Sequence, residues 1–365
     1  MQFGRVPPWG GLCVVLAGMS MPAAGEESRV LHFANRPEFI ASDTVQKFEA
    51  ETGIAVTYDL YQSDAELLDT LAAGDKRGWD LVVASVVPVL AKGVPRHLFQ
   101  PVGRDRLSNY GNIDRDILAD AAAWDPDNAI GVPYLWGTAG LAVDAAKLKA
   151  ALPDAPEDTL ALAFDPRIVA RIGCGVAIED APDNVFPAAL AALGLDPTSQ
   201  SSKELDQAGD LLGKLKPLVR RLPSEDFVEA LANGTTCVGF GASDDVTDAR
   251  SKAEDRDNGV DLTYLIPKER TRMWIDVLAI PAGATHVEEA RQFIDFLLRP
   301  EIISDITDWT GAVNPNTLAA GFVDDDKTDQ TVFPSPESRA RLFMDRPLSP
   351  EAAAQRARIW SKTKP

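Results

Sequence analysis

The feature that most limits the fold of this chain is an alternation of strand and helix patterns near its N-terminus. Apolar runs typical of buried strands lie at residues 30–34, 54–61 and 80–84. Helical patterns lie between them, at residues 42–52 and 63–74, and both begin with a capping-box pattern. A β-α-β-α-β order requires parallel strands joined by right-handed crossovers. The sequence therefore predicts an α/β protein.

Three loops are candidates for ligand contact because each follows one of these strands. In open α/β sheets, ligands bind at the carboxyl ends of the strands, where loops and helix N-termini converge. The loops are residues 35–40, 61–64 and 85–88. We expect a binding site where these segments meet.

A second α/β unit follows the first. Residues 131–143 form a long extended segment, and further strand patterns lie at residues 174–178, 236–240, 262–266 and 274–280. A chain of 365 residues is long enough for two lobes. We expect the second lobe to begin near residue 135.

Charge and motifs exclude several classes of function. With 36 Lys and Arg against 55 Asp and Glu, the formal net charge is −19, so nucleic acid and anionic membrane surfaces are not expected as partners. His32, His97 and His286 lack the spacing of a metal site. The sequence contains no P-loop and no G-x-G-x-x-G fingerprint. No metal and no cofactor are predicted.

Residues 1–25 have the layout of a secretory signal peptide. The segment carries one charge, Arg5, followed by a short apolar run at residues 11–18 and small residues at 22–25. The run is too short to span a bilayer. We expect export with removal of this segment near Ala24 or Gly25. The alternative is a buried N-terminal helix.

Two cysteines remain after the signal peptide, Cys174 and Cys237. Disulfides persist in exported proteins, and an even number of cysteines favours pairing. We therefore predict a Cys174–Cys237 disulfide. The alternative is two buried free thiols.

Several longer motifs together resemble one protein family. They are GWDLVVAS, DPDNAIGVPYLWGTAGLAVD, CGVAIEDAPDNVF, LANGTTCVGFGASDDV, WIDVLAIPAGA and FIDFLLRPEI. In order and spacing they resemble the periplasmic polyamine-binding proteins of bacterial ABC importers, especially the putrescine-binding branch. The two cysteines also fall where members of that branch carry a disulfide.

The resemblance implies a two-lobed periplasmic binding protein fold (type II). Each lobe would have a central, mostly parallel sheet flanked by helices, with the ligand cleft between the lobes. The chain would cross between lobes three times, giving lobe 1 from residues 26–134 plus 275–320 and lobe 2 from residues 135–274 plus 321–365. Closure of such lobes suits a cation, because both can contribute carboxylates and aromatic rings.

The implied function is binding and transport without catalysis. A periplasmic monomer would capture a small cationic ligand, a putrescine-like polyamine, and deliver it to the permease subunits of an ABC transporter in the inner membrane. One alternative keeps the fold but binds an amino acid or another amino-carboxylate through Arg36. Another is a sensing component read by a membrane receptor. An exported hydrolase would need an activated nucleophile or paired acids, which the sequence does not supply.

The family's ligand-binding residues match this chain only in part. The implied site consists of Arg36, Glu38, Phe39, Ser85, Asn184, Asp245, Trp274 and Asp276. Arg36 stands where polyamine binders have a tryptophan, Phe39 replaces a tyrosine, and Asn184 replaces an acid. The family's tryptophan position holds Ala242, and the late aromatic residue expected near Ala312 is missing. Arg36 has several possible partners, which are Glu38, Asp276, solvent or a ligand carboxylate.

Overall fold

The computed structural model describes Met1 and residues 29–74, 77–220, 227–324 and 334–364. The predicted signal peptide, residues 1–25, lies outside the described residues except for Met1. Among the helices that are described, none has both the length and the apolar character needed to cross a membrane.

Strands and helices alternate along most of the chain. The strands are β1 (Val30–Asn35), β2 (Ala55–Leu60), β3 (Leu81–Ser85), β4 (Phe99–Gln100), β5 (Gly131–Val143), β6 (Val176–Ile178), β7 (Val238–Ala242), β8 (Thr263–Leu265), β9 (Thr271–Pro281) and β10 (Leu342–Met344). The α-helices are α1 (Thr44–Thr52), α2 (Asp64–Ala72), α3 (Ala91–Gly93), α4 (Arg115–Ala121), α5 (Ala145–Ala151), α6 (Ala161–Phe164), α7 (Pro166–Val169), α8 (Pro182–Ala192), α9 (Ser202–Leu215), α10 (Phe227–Ala232), α11 (Ser243–Asp255), α12 (Val287–Leu297), α13 (Pro300–Thr310), α14 (Pro336–Arg339) and α15 (Pro350–Thr363).

The N-terminal β-α-β-α-β prediction is confirmed. Strand β1 pairs in parallel with β2 and with β3. Ser63 caps α2 by accepting a hydrogen bond from the Glu66 amide at 3.2 Å, and Gly53 ends α1 with a left-handed φ of 68°. The capping box predicted at Asp43 is wrong, because the Asp43 side chain makes no capping hydrogen bond. Its carboxylate instead pairs with Lys47 at 3.1 Å.

Two long strands join the two halves of one continuous sheet. The central strand order is β2-β1-β3-β9-β5-β7-β6. Strands β5 and β9 run antiparallel, from Gly131 opposite Ala279 to Thr138 opposite Met273, with an irregularity between Pro133 and Leu135. The sheet is therefore parallel at its outer strands but antiparallel at its centre, where the chain passes between the two halves.

The inner strands of both halves of the sheet are buried on both faces. In β3, Leu81 and Val83 face one apolar cluster, whereas Val82 and Ala84 face another. In β5, Leu141 and Ala142 likewise enter different clusters. This burial explains why these strands are continuous apolar runs in the sequence rather than alternating ones.

The predicted disulfide is confirmed. Cys174 and Cys237 are bonded, with their Cα atoms 5.6 Å apart and a sequence separation of 63 residues. The bridge joins the segments just before β6 and β7, which are parallel neighbours, so their starting points are adjacent. The Cys237 side chain is buried in the core.

Removing this bridge should lower the stability of the fold. For a loop of this size, the chain-entropy model gives an upper value of about 4 kcal/mol. We expect the Cys174→Ala/Cys237→Ala variant to unfold at a lower denaturant concentration than the oxidised wild type. Reductant should shift the wild type to the midpoint of the variant and leave the variant unchanged. Equal midpoints for the variant and the oxidised wild type would contradict the prediction.

Candidate ligand-binding site

The loop after β1 is held by two buried side chains. Asn35 Nδ2 and the Tyr134 hydroxyl both donate to the Phe39 carbonyl, at 3.1 and 3.0 Å. Asn35 Oδ1 accepts from the Arg36 amide at 2.8 Å. Glu38, with a left-handed φ of 57°, has an exposed side chain. The loop therefore keeps Arg36 and Phe39 half-buried and leaves Glu38 outside.

Arg36 is paired with Asp276. Its Nη2 atom contacts Asp276 Oδ1, and the guanidinium lies 4.8 Å from the centroid of the Phe39 ring. The Asp276 side chain is only 1% exposed. Burial disfavours the charge on Arg36, but Asp276 and the nearby Asp64 outweigh it and raise the pKa of the guanidinium. Of the partners considered from the sequence, Asp276 is the one observed.

The carboxyl ends of β2 and β3 contribute further polar groups. Ser85 lies opposite Asp276 in the β3–β9 ladder, and its hydroxyl donates to Asp64 Oδ2 at 2.8 Å. Asp64 is the first residue of α2. The Tyr61 hydroxyl donates to the Val83 carbonyl at 2.8 Å and lies beside the Arg36 guanidinium. The three predicted loops therefore meet at one place.

A second polar network approaches from the other half of the sheet. Asn184 Nδ2 donates to Glu179 Oε1 at 2.5 Å, and the Ala242 amide donates to Glu179 Oε2 at 3.1 Å. Arg272 Nη1 donates to Asn184 Oδ1 at 2.7 Å, while its Nε donates to Asp345 at 2.5 Å. Asn184 therefore bridges a buried carboxylate and a buried guanidinium.

Two further carboxylates lie in the first turn of α11, Asp244 and Asp245. Burial and the neighbouring Asp245 raise the pKa of Asp244 to about 7. Burial and Asp248 raise the pKa of Asp245 to about 6. Burial, followed by the charge of Asp245, raises the pKa of Glu179 to about 8. This side of the site is thus crowded with carboxyl groups.

Trp274 forms an aromatic contact where β5 and β9 pass between the two halves. Its ring centroid is 6.2 Å from that of Phe39. Trp274 is paired with Gly137, and a Cβ atom on residue 137 would overlap the indole and lie 2.8 Å from Ser243 Oγ. A glycine at this position therefore allows the ring and the start of α11 to approach β5.

The structure brings most of the sequence-predicted residues to this region. Arg36, Phe39, Ser85, Trp274 and Asp276 form one group, Asn184 and Asp245 lie on the α8 and α11 side, and the Glu38 side chain is exposed.

Several polar residues of the site were not selected from the sequence, namely Tyr61, Asp64, Glu179, Asp244 and Arg272. Tyr61 and Asp64 lie in a predicted loop, Asp244 precedes a selected acid, and Glu179 is close in sequence to Asn184. Arg272 had no comparable signal. Within the described ranges, no group of three or more His, Cys, Asp and Glu side chains is arranged to hold a metal ion.

Comparison with solved structures supports the same fold. The spermidine/putrescine substrate-binding protein PotD of Streptococcus pneumoniae superposes with a TM-score of 0.78 at 22% identity, covering 92% of this chain and 99% of that one. The TpPotD lipoprotein of Treponema pallidum gives 0.77 at 24% identity, with the same coverage. The predicted two-lobed α/β fold is thereby confirmed.

Sequence comparison identifies the family. The chain is 38% identical over 352 residues to the putrescine-binding periplasmic protein SpuD of Pseudomonas aeruginosa, covering 96% of this chain and 95% of the relative. It is 37% identical over 353 residues to the putrescine-binding periplasmic protein PotF of Escherichia coli, with the same coverage. The profile of the bacterial extracellular solute-binding proteins matches residues 43–332. The chain therefore belongs to the bacterial extracellular solute-binding protein family.

Proposed function

We propose that this protein is a periplasmic solute-binding protein that captures a putrescine-like polyamine and delivers it to an ABC transporter permease. The observation that carries the proposal is the excess of carboxylates over guanidiniums in the site. Asp64 and Asp276 come from one side, Glu179, Asp244 and Asp245 from the other, and they face Arg36 and Arg272. The putrescine-binding relatives support this ligand class.

Capture combines charge and aromatic contact. Ammonium groups form charge-assisted hydrogen bonds to carboxylates, and the half-buried rings of Phe39 and Trp274 can cover the methylene chain or face a cationic end. Because the carboxylates come from both sides of the β5–β9 junction, one ligand that contacts both sides favours closure. Closure then excludes water and strengthens each electrostatic contact.

The proposed ligand-binding set retains the sequence-predicted residues. It consists of Arg36, Glu38, Phe39, Ser85, Asn184, Asp245, Trp274 and Asp276. Arg36 forms an ion pair with Asp276, which supports an amine ligand over one held through its carboxylate, and its buried Nε and Nη2 atoms have no hydrogen-bond partner among the described residues. Glu38, whose side chain is exposed, would contact a ligand only at the entrance of the cleft.

The proposed lobes are residues 26–134 plus 275–320 and residues 135–274 plus 321–365. The crossings at 134/135 and 274/275 fall inside β5 and β9, and the Trp136–Val313 bridge runs alongside them. Extended strands allow a bend at such crossings without loss of the cores on either side. We further propose that the protein is a monomer and presents both lobes to the permease.

The protein should bind diamines after bound ligand has been removed by unfolding and refolding. Titration with putrescine, cadaverine, spermidine and agmatine, followed by thermal unfolding, should give a saturable rise in the unfolding temperature, because a ligand that binds only the folded state stabilises it. A set of amino acids should give no such rise. A response to no amine at all would contradict the proposed function.

The aromatic contact should contribute measurably to amine affinity. Trp274→Ala should weaken putrescine binding roughly 3- to 30-fold, the range that one ring contact provides. Trp309→Ala, which removes an indole that is 56% exposed at the surface, is the matched control and should leave the affinity unchanged. Calorimetric titration of the two variants measures both effects. If the two variants bound putrescine with equal affinity, Trp274 would not be part of the ligand-binding site.

Amine affinity should rise with pH between about 5 and 8. Asp244, Asp245 and Glu179 hold protons up to pKa values of about 7, 6 and 8, and a cation favours their ionised forms. Each pH unit below the pKa of a required carboxylate costs about tenfold in affinity, while the amine itself stays protonated throughout. Calorimetry in buffers of different ionisation enthalpy should detect protons released on binding. A flat affinity profile would contradict this prediction.

A further inference from the structure

The Arg36–Asp276 pair changes how charge is distributed in the cleft. Asp276 is almost fully buried, and Arg36 is held against it by the pinned loop after β1 and by the Phe39 ring. A buried ion pair is strongly disfavoured once one partner is removed, because the other charge is left uncompensated. If a ligand ammonium took Asp276 as its counter-ion, the charge of Arg36 would be left uncompensated. Asp276 is therefore already neutralised by the protein itself.

Four buried carboxylate oxygens nevertheless have no hydrogen-bond partner among the described residues. One of them, Asp144 Oδ2, lies 3.0 Å from Lys147 Nζ, so a cation of the protein already faces it. The other three are Asp64 Oδ1, Asp244 Oδ1 and Asp276 Oδ2. Buried acceptors without partners are rare in folded proteins and indicate atoms that a ligand or water satisfies. All three belong to side chains whose charges act on one another or on Arg36. They therefore mark one locality.

The three carboxylates differ in the charges that surround them. Asp276 Oδ2 can accept a hydrogen bond, but the charge of its carboxylate is balanced by Arg36. Asp64 accepts its hydrogen bond from the neutral Ser85 hydroxyl, at 2.8 Å, and Arg36 acts on it only as a nearby charge. Asp244 is affected by Arg36 from a distance and stands beside another carboxylate, Asp245. Asp64 and Asp244 are thus the carboxylates that still need a positive charge.

The other acids of the site are less suitable counter-ions. Both oxygens of Glu179 already accept hydrogen bonds, from Asn184 Nδ2 at 2.5 Å and from the Ala242 amide at 3.1 Å. The charges acting on Asp245 are those of Asp248 and Lys252 on its own helix, whereas Asp244 interacts with Arg36 and Asp276 across the junction. Asp244 is therefore the acid of this pair that is coupled to Arg36 and Asp276, whereas Asp245 is coupled to Glu179 and to its own helix.

We propose that Asp64 on one side of the cleft and Asp244 on the other are the counter-ions of the ligand's cationic groups, and that Asp276 serves Arg36 instead. This inference rests on the proposed function and specifies its ligand as one with two separated positive charges. Asp64 lies at the start of α2 and Asp244 in the first turn of α11, on opposite sides of the β5–β9 junction. A diamine bound between them would connect the two lobes.

Calorimetric titration with putrescine tests the two carboxylates directly. Asp64→Asn and Asp244→Asn should each weaken binding roughly tenfold or more, the effect of losing a charge-assisted hydrogen bond. The matched controls are Asp69→Asn on α2 and Glu254→Gln on α11, which remove an exposed acid from the same helices and should not change affinity. n-Butylamine, which has one charge, should bind the wild type more weakly than putrescine and should discriminate less between the wild type and the variants.

A second set of variants tests the role of Asp276. Asp276→Asn keeps an acceptor oxygen but leaves Arg36 uncompensated, so putrescine affinity should fall. Arg36→Met should raise it, because Asp276 becomes an additional free carboxylate. Combining Arg36→Met with Asp276→Asn should recover most of the affinity that Asp276→Asn loses. Circular dichroism of each variant checks that the fold is retained.

The results distinguish the two proposals. If the wild type binds putrescine, Asp64→Asn and Asp244→Asn bind it normally, and the double variant shows no recovery, Asp276 is the ligand's counter-ion and the inference is overturned while the proposed function stands. If the wild type binds no amine, the proposed function fails and the inference fails with it. Recovery in the double variant, together with loss in both single-acid variants, supports the inference.

Discussion

The site depends on the register of the antiparallel pair β5 and β9. In that register Trp274 lies opposite Gly137, and Asp276 lies opposite Leu135 on one side and Ser85 on the other. Side chains alternate between the faces of a strand, so a slip of one residue would turn Trp274 and Asp276 away from the cleft and Met273 and Ile275 toward it. The packing of Met273 and Ile275 in the apolar cluster on the opposite face prevents this slip.

The cleft concentrates more negative charge than its own cations balance. Two arginines are committed to protein partners, Arg36 to Asp276 and Arg272 to Asp345 and Asn184. Burial of the remaining carboxyl groups raises the pKa values of Glu179 and Asp244. Groups of this kind are destabilising, because desolvated like charges repel one another. In the proposed function a cationic ligand relieves that repulsion, so the electrostatics of these carboxyl groups favour its binding.

Much of the fold could be predicted from local patterns. Ser63 and Gly53 lie at the helix boundaries that their chemistry favours, and the first three strands lie where apolar runs end at turn residues. Asp43 did not follow the pattern because its backbone is helical, with φ −104° and ψ −3°, whereas a capping residue is normally extended. Its carboxylate pairs with Lys47 on the helix surface. The disulfide followed from the number of cysteines and the expected compartment, and the parallel pairing of β6 and β7 brings the two residues together.

The sequence by itself determined the fold class, the disulfide and three loops that meet in the structure, because strand patterns, turn residues and cysteine number are properties of the chain as written. Only the tertiary structure decided which charges meet. Arg36 and Asp276 are 240 positions apart and are joined through strand pairing and a pinned loop. Asp244 and Asp245 are neighbours in sequence, but successive residues of a helix point in different directions, so the two acids face different surroundings. Such pairings depend on side-chain direction and burial, which no local pattern encodes.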